Sequence, residues 1–158
     1  MRVHLGDGRE FVEGAQRAYD AIFLDAYGAI SVPAHLTTLE FLRAVRRITA
    51  PGGVVIANLL RPPLNPQYHS MVRTYQEAFD ELYILEVYRS AGSILLALPR
   101  RRLLGHDEFV QLARNAVADK RLPFDLRDIV AHRFLYADRN DPHATILRDA
   151  DIARRSAS

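Results

Sequence analysis

Apolar residues in the first part of the chain form short unbroken runs that alternate with stretches of helical spacing. Val3 to Leu5 is a short apolar segment ended by Gly6-Asp7-Gly8, and a polar turn bearing Phe11 and Val12 follows. This predicts strand, turn and helix, with Gly14 keeping the helix short. Ala21 to Leu24 is a continuous apolar run stopped by Asp25, the pattern of a parallel strand covered on both faces. After a loop through Gly28 and Pro33, Thr37 and Glu40 have capping-box spacing ahead of Leu39, Phe41, Leu42, Val45 and Ile48. That spacing predicts an amphipathic helix, which Pro51-Gly52-Gly53 would end. Val54 to Leu59 reads as a third buried strand, and Pro62, Pro63 and Pro66 mark a rigid loop before a helix bearing Met71, Val72, Tyr75 and Phe79.

Leu82 to Tyr88 and Ser93 to Leu98 lie close enough, across Arg89-Ser90-Ala91-Gly92, for an antiparallel hairpin. Asp107 is placed to cap a helix carrying Phe109, Val110, Ala113, Ala116 and Val117, and Pro123 opens a shorter helical segment near Leu126 to Val130. Asp138 to Pro142 is rich in turn residues, and Arg154 to Ser158 has nothing to bury and is expected to fray. The succession of strands and helices predicts an α/β fold: a partial Rossmann-like three-layer sandwich with a mainly parallel sheet and an antiparallel C-terminal hairpin. Residues 1–122 form the α/β domain on this reading, and residues 123–158 a helical or irregular extension of it.

Composition narrows the function classes. Of 158 residues, 49% are apolar and 25% charged, which fits a globular domain. The net charge of +2 is too small to argue for nucleic acid or an anionic membrane. The absence of cysteine excludes disulfides and thiolate chemistry and fits a reducing compartment, with cytosol the default. The longest apolar runs fall far short of the roughly 20 residues a membrane helix needs. The opening residues turn polar too soon for a secretory signal. The six histidines, His4, His35, His69, His106, His132 and His143, show no metal-ligand spacing, so surface or packing roles are expected and no metal is implied. His35 lies in the loop after Asp25, within possible reach of a ligand. Arg100-Arg101-Arg102 reads as a solvated stop after a strand.

In an open α/β sheet, ligands bind beyond the C-terminal ends of parallel strands. Asp7, Asp25 and Asn58 fall at such ends and are expected to share one rim. Two readings stay open from the pattern alone: the aspartates begin turns, as Asp often does, or they face a ligand.

Five segments in register resemble the spermidine synthase pattern: Gly6-Asp7-Gly8-Arg9-Glu10-Phe11, Tyr19-Asp20-Ala21-Ile22, Asp25, Leu36-Thr37-Thr38-Leu39-Glu40-Phe41 and Pro51-Gly52-Gly53-Val54. The chain is thereby similar to the C-terminal portion of polyamine aminopropyltransferases, whose fold is of the class I S-adenosylmethionine-dependent methyltransferase type. The resemblance implies aminopropyl transfer from decarboxylated S-adenosylmethionine, or use of S-adenosylmethionine, with a small-molecule amine as acceptor and no metal. It implies that Asp7 accepts a hydrogen bond from the adenine amino group, that Gly8 leaves room for the base, and that Asp25 is the catalytic carboxylate beside the attacking amine. Asp25, Ala26 and Tyr27 join Asp7 and Gly8 as the implied contacts to the adenosyl compound.

Two departures modify this expectation. Where the family usually carries Asp-x-x-Asp, this sequence reads Asp25-Ala26-Tyr27-Gly28, so one diamine contact is missing. No Gly-rich strand-turn-helix for the methionine part of the cofactor precedes Val3. The isolated chain is therefore expected to be impaired or inactive, or to act as a non-catalytic module in binding or oligomerisation. The strand at Val3 to Leu5 is expected to move beside the strand at Ala21 to Leu24, or that edge is expected to pair with another subunit or a missing N-terminal segment.

Overall fold

The structure, a computed structural model, describes residues 2–26, 32–87, 89–120, 126–136, 141 and 143–156. Twelve elements follow one another: α1 (Gly8–Gly14), β1 (Tyr19–Leu24), a 3-10 turn (Ala34–Leu36), α2 (Leu39–Arg47), β2 (Thr49–Leu60), α3 (Tyr68–Ala78), β3 (Glu81–Glu86), β4 (Gly92–Leu98), α4 (His106–Lys120), α5 (Leu126–Arg133), β5 (Phe134–Tyr136) and α6 (Asp149–Ser156). The strands form one sheet in the order β1-β2-β4-β3-β5.

Strand alternation sorts the side chains onto two faces. Val55, Ala57 and Leu59 of β2, Leu95 and Ala97 of β4, and Leu82 and Ile84 of β3 point to one face, where they pack with buried residues of α2 and α3 such as Leu42, Val45, Met71 and Tyr75. Among the described residues the other face is covered at its β3–β4 end. There Tyr83 stacks on Phe109 of α4, with Leu98 and Leu104 beside it. The row Phe23, Ile56, Leu96, Tyr83 runs across this second face, and its β1 end is open: Phe23 is 71% exposed.

The α/β layering expected from the sequence holds, with helices on both faces. The sheet carries the expected parallel set and antiparallel hairpin: β1, β2 and β3 run one way, and β4 and the short β5 run against them. β1 and β2 are parallel, whereas β2–β4, β3–β4 and β3–β5 are antiparallel. Two features set this pairing. The hairpin strand β4 inserts between β2 and β3 instead of extending an edge, and Val3 to Leu5 contributes no strand. Leu5 is 98% exposed, and among the described residues β1 pairs with β2 alone, so the expected move of the first segment beside β1 does not occur.

Smaller corrections follow from hydrogen bonding. The α2 cap is Thr38, whose Oγ1 accepts from the Phe41 N–H at 3.3 Å, while Thr37 donates to the Ala34 carbonyl at 2.7 Å. Pro51-Gly52-Gly53 lies inside β2 and does not end the helix, because Tyr19 pairs with Thr49 and draws the segment into the sheet. A Cβ on Gly53 would stand 2.9 Å from the Tyr19 and Asp20 carbonyl oxygens, so glycine here lets β1 approach. Asp107 sits within the first turn of α4 instead of capping it, and residues up to Ser156, expected to fray, form α6. The sequence pattern did not show β5, a three-residue strand.

Candidate functional site

Asp25 follows the last residue of β1, at the C-terminal end of the parallel pair. Asn58 lies on the same side of β2 as Val54 and Ile56, and its Nδ2 donates to Asp25 Oδ1 at 3.1 Å. The pair thus continues the uncovered strip of the second face up to the rim. Helix α2 connects the parallel strands β1 and β2 and so runs back against them, which puts its N-terminus and the 3-10 turn bearing His35 toward the same end of the pair as Asp25.

His35 brings in Asp7. Its Nε2 lies 2.8 Å from Asp7 Oδ2, while Asp7 Oδ1 accepts the Arg9 N–H at 2.7 Å as the N-cap of α1. Asp7 therefore does begin a helix, and it also faces the rim. The Arg9 N–H, and after it His35, hold the Asp7 carboxyl below the usual carboxylate range. Helix α1 runs away from the rim, and Arg47 at the far end of α2 donates to its last carbonyls, at Val12, Glu13 and Ala15.

The structure thus brings Asp7, Gly8, Asp25 and Asn58 to one end of the parallel pair. Ala26 is exposed beside Asp25, and Tyr27 lies outside the described residues. An open cleft of about 500 Å³ adjoins Asp7, lined by His4, Leu5, Gly6, Gly8, Glu10 and Phe11, which is within the size range of small-molecule sites. A larger hollow of about 630 Å³ runs along α1 to Arg17 and Tyr19, toward the opposite end of the sheet. A side chain on Gly8 would meet nothing within 4 Å, so the cleft is open above that residue. Among the described residues no group of three or more His, Cys, Asp or Glu side chains is placed to hold a metal.

Sequence reasoning missed a further set of charges. The Arg9 guanidinium makes two parallel bonds to Asp149 at 2.8 and 2.6 Å, a third to Glu13 at 2.7 Å and a fourth to the His35 carbonyl at 3.2 Å. Asp149 foremost, and Glu13 with it, stabilise the charged guanidinium; in turn Arg9 holds the Asp149 carboxyl below its usual range. Glu40 spaces like the partner of a capping box, yet its Oε2 accepts the Asp149 N–H at 3.1 Å and so caps α6 instead. No local signal announces a pairing between residues 140 positions apart.

Comparison with known proteins agrees with this architecture. No protein-family profile matches the chain. It is 31% identical over 131 residues to a polyamine aminopropyltransferase of Vibrio vulnificus, covering 78% of this chain and 41% of that protein. To polyamine aminopropyltransferase 2 of Hyperthermus butylicus it is 42% identical over 75 residues, 46% of this chain and 25% of that protein. The chain therefore spans less than half the length of these relatives. Among solved structures, human methyltransferase-like protein 13 in complex with SAH superposes with a TM-score of 0.68 at 25% identity, over 78% of this chain and 61% of that one. A spermidine synthase in complex with the transition-state analogue AdoDATO shares the fold with a TM-score of 0.54 at 22% identity, over 63% of this chain and 36% of that one. With five family segments, a matching fold and a rim that gathers their acidic residues, the chain is a relative of the polyamine aminopropyltransferases, spermidine synthase-like in sequence and methyltransferase-like in fold.

Proposed function

We propose that this chain supplies the adenine contact and the amine-facing carboxylate of a spermidine synthase-like transferase, which moves an aminopropyl group from decarboxylated S-adenosylmethionine to an amine. The observation that carries the reading is the sharing of one rim by Asp7, beside an open cleft, and Asp25, oriented by Asn58. In the reaction the amine nitrogen bonds to the methylene next to the sulfonium. The carbon–sulfur bond breaks, and its electron pair stays on sulfur to leave a neutral thioether. An ammonium has no lone pair for this attack, so the amine must first lose a proton. Asp25 receives that proton or steadies the developing charge. Asn58 engages one oxygen of Asp25, and a carboxylate retains further lone pairs for an ammonium donor.

The residues fit an adenosyl guest at one end. Asp7 accepts the adenine amino group, and open space at Gly8 leaves room for the base. Ala26, exposed beside Asp25, extends the proposed contact. The SAH held by the human relative is consistent with a ligand of this class. The sequence lacks a second aspartate three residues after Asp25, which removes a charge-assisted contact of about 1.5–3 kcal/mol. Putrescine affinity should fall by roughly one to two decades as a result. With Gly28 where that second aspartate would stand, transfer to a diamine by this chain is expected to be impaired, and its place of action is the cytoplasm.

A second reading, a non-catalytic module acting in binding or oligomerisation, is favoured by the open β1 edge and the exposed Phe23. Thermal unfolding with decarboxylated S-adenosylmethionine, S-adenosylmethionine or methylthioadenosine separates the two. At 100 times its dissociation constant a true ligand adds about 2.7 kcal/mol, and Asp7→Asn should reduce that gain. No shift with any of the three, together with concentration-dependent sedimentation, would establish the module instead.

A further inference from the structure

Residues 144–149 cross the helical layer as a strap. Thr145 N–H donates to Ser70 Oγ at 3.2 Å and Leu147 N–H to Thr74 Oγ1 at 3.0 Å, both on α3, while the Leu147 carbonyl accepts the Leu39 N–H of α2 at 2.8 Å. Leu147 is buried and Ile146 packs against the same core. This docking delivers Asp149 to the rim, where it meets Arg9. Arg9 in turn belongs to a closed circuit of contacts: its side chain holds the His35 carbonyl, the His35 ring meets Asp7 Oδ2, and Asp7 Oδ1 accepts the Arg9 N–H.

We propose that Asp149, acting through Arg9, is a positioning residue for the Asp7–His35 pair, so that the C-terminal strap is a working part of the rim. An isolated exposed ion pair holds little, but a fork of two parallel bonds tied into further charges fixes direction as well as distance. Without Asp149, the remaining ion-pair partner of Arg9 among the described residues is Glu13, on its own helix. The guanidinium then turns toward Glu13 and releases the His35 carbonyl, which leaves the His35 ring held to the α1 cap by its contact with Asp7 alone, free to shift.

The inference rests on the adenine reading of Asp7 only in its ligand arm. The first arm uses the full chain labelled with 15N-histidine at one fixed pH, with His35→Gln identifying the His35 imidazole signal. Asp7→Asn should displace that signal in the native background. Asp149→Asn should displace it too, and adding Asp7→Asn to Asp149→Asn should then change little, while Asp149→Glu restores much of the native position. If Asp149→Asn does not fold, Arg9→Lys, which keeps the charge and loses the fork, should produce the same displacement. A His35 signal that stays native in Asp149→Asn or Arg9→Lys and keeps its full response to Asp7→Asn would overturn the proposal, even with a lowered melting temperature. In the second arm, Asp149→Asn should weaken methylthioadenosine binding about tenfold, and an unchanged affinity counts against the proposal. Absence of binding by the native chain defeats the adenine reading, and the His35 arm alone then decides the positioning role.

Discussion

The two ends of the sheet are built on different physics. At the β3–β4 end both faces are covered, and even its carboxylate, Glu81, is buried, bonded to the Tyr83 hydroxyl and to the N–H groups of Arg102 and Leu103. At the β1 end one face and one edge are open among the described residues, and the side chains of interest are held by ion pairs and single hydrogen bonds at partly exposed positions. Burial secures the fold at one end, while directed electrostatics arranges the rim at the other. A change at the closed end should cost stability, whereas a change at the open end should alter the site while the fold persists.

The sharpest break of this contrast is Leu95→Ala. Leu95 is fully buried at the middle of β4, and its truncation should cost about 2–5 kcal/mol, measured by denaturant unfolding. Next comes Gly53→Ala, which presses a methyl against the Tyr19 and Asp20 carbonyls. It should cost about 1–3 kcal/mol and speed amide exchange selectively in β1.

Glu81→Ala should cost about 1–3 kcal/mol, because it leaves the buried Tyr83 hydroxyl and the partly buried Arg102 and Leu103 N–H groups without their acceptor. The same carboxylate gives the closed end an acid sensitivity. Burial pushes Glu81 up, but its bonds to Tyr83 and to the 102–104 backbone outweigh this and hold it below its ordinary value. Its contribution is therefore complete above the unfolded value of about 4.3 and is lost as pH falls through the lower folded value. Unfolding midpoints at roughly pH 6 and pH 3 should diverge less in Glu81→Gln than in the native chain. The smallest effect belongs to Phe23→Ala, within about 0.5 kcal/mol. A larger loss would mean that Phe23 is covered in solution, and sedimentation would show by what.

Helix and strand positions were legible where one periodicity dominated. The runs at Ala21 to Leu24 and Val54 to Leu59, and the faces bearing Leu42, Val45, Met71 and Tyr75, needed only local pattern. Strand order was less legible, because an apolar run does not say which neighbour it will take, and β4 took the place beside β2. For the rim, Asp7, Asp25 and Asn58 were readable as strand-end polar residues, although their roles came from resemblance. Arg9 and Asp149 were not readable at all: each looks like an ordinary helix-end charge, and only the strap across α2 and α3 brings them together. Glu40 shows the limit of motif spacing, since a carboxylate three residues from a threonine serves whichever N–H group the tertiary structure brings within reach.

The Arg9–Asp149 bond also carries information about time. Because its partners lie 140 positions apart, no nascent chain that has not yet reached Asp149 can make it, however well its earlier helices have already packed. Loop-closure entropy places so distant a contact late in refolding too. The rim should therefore acquire its final shape after the scaffold beneath it has consolidated.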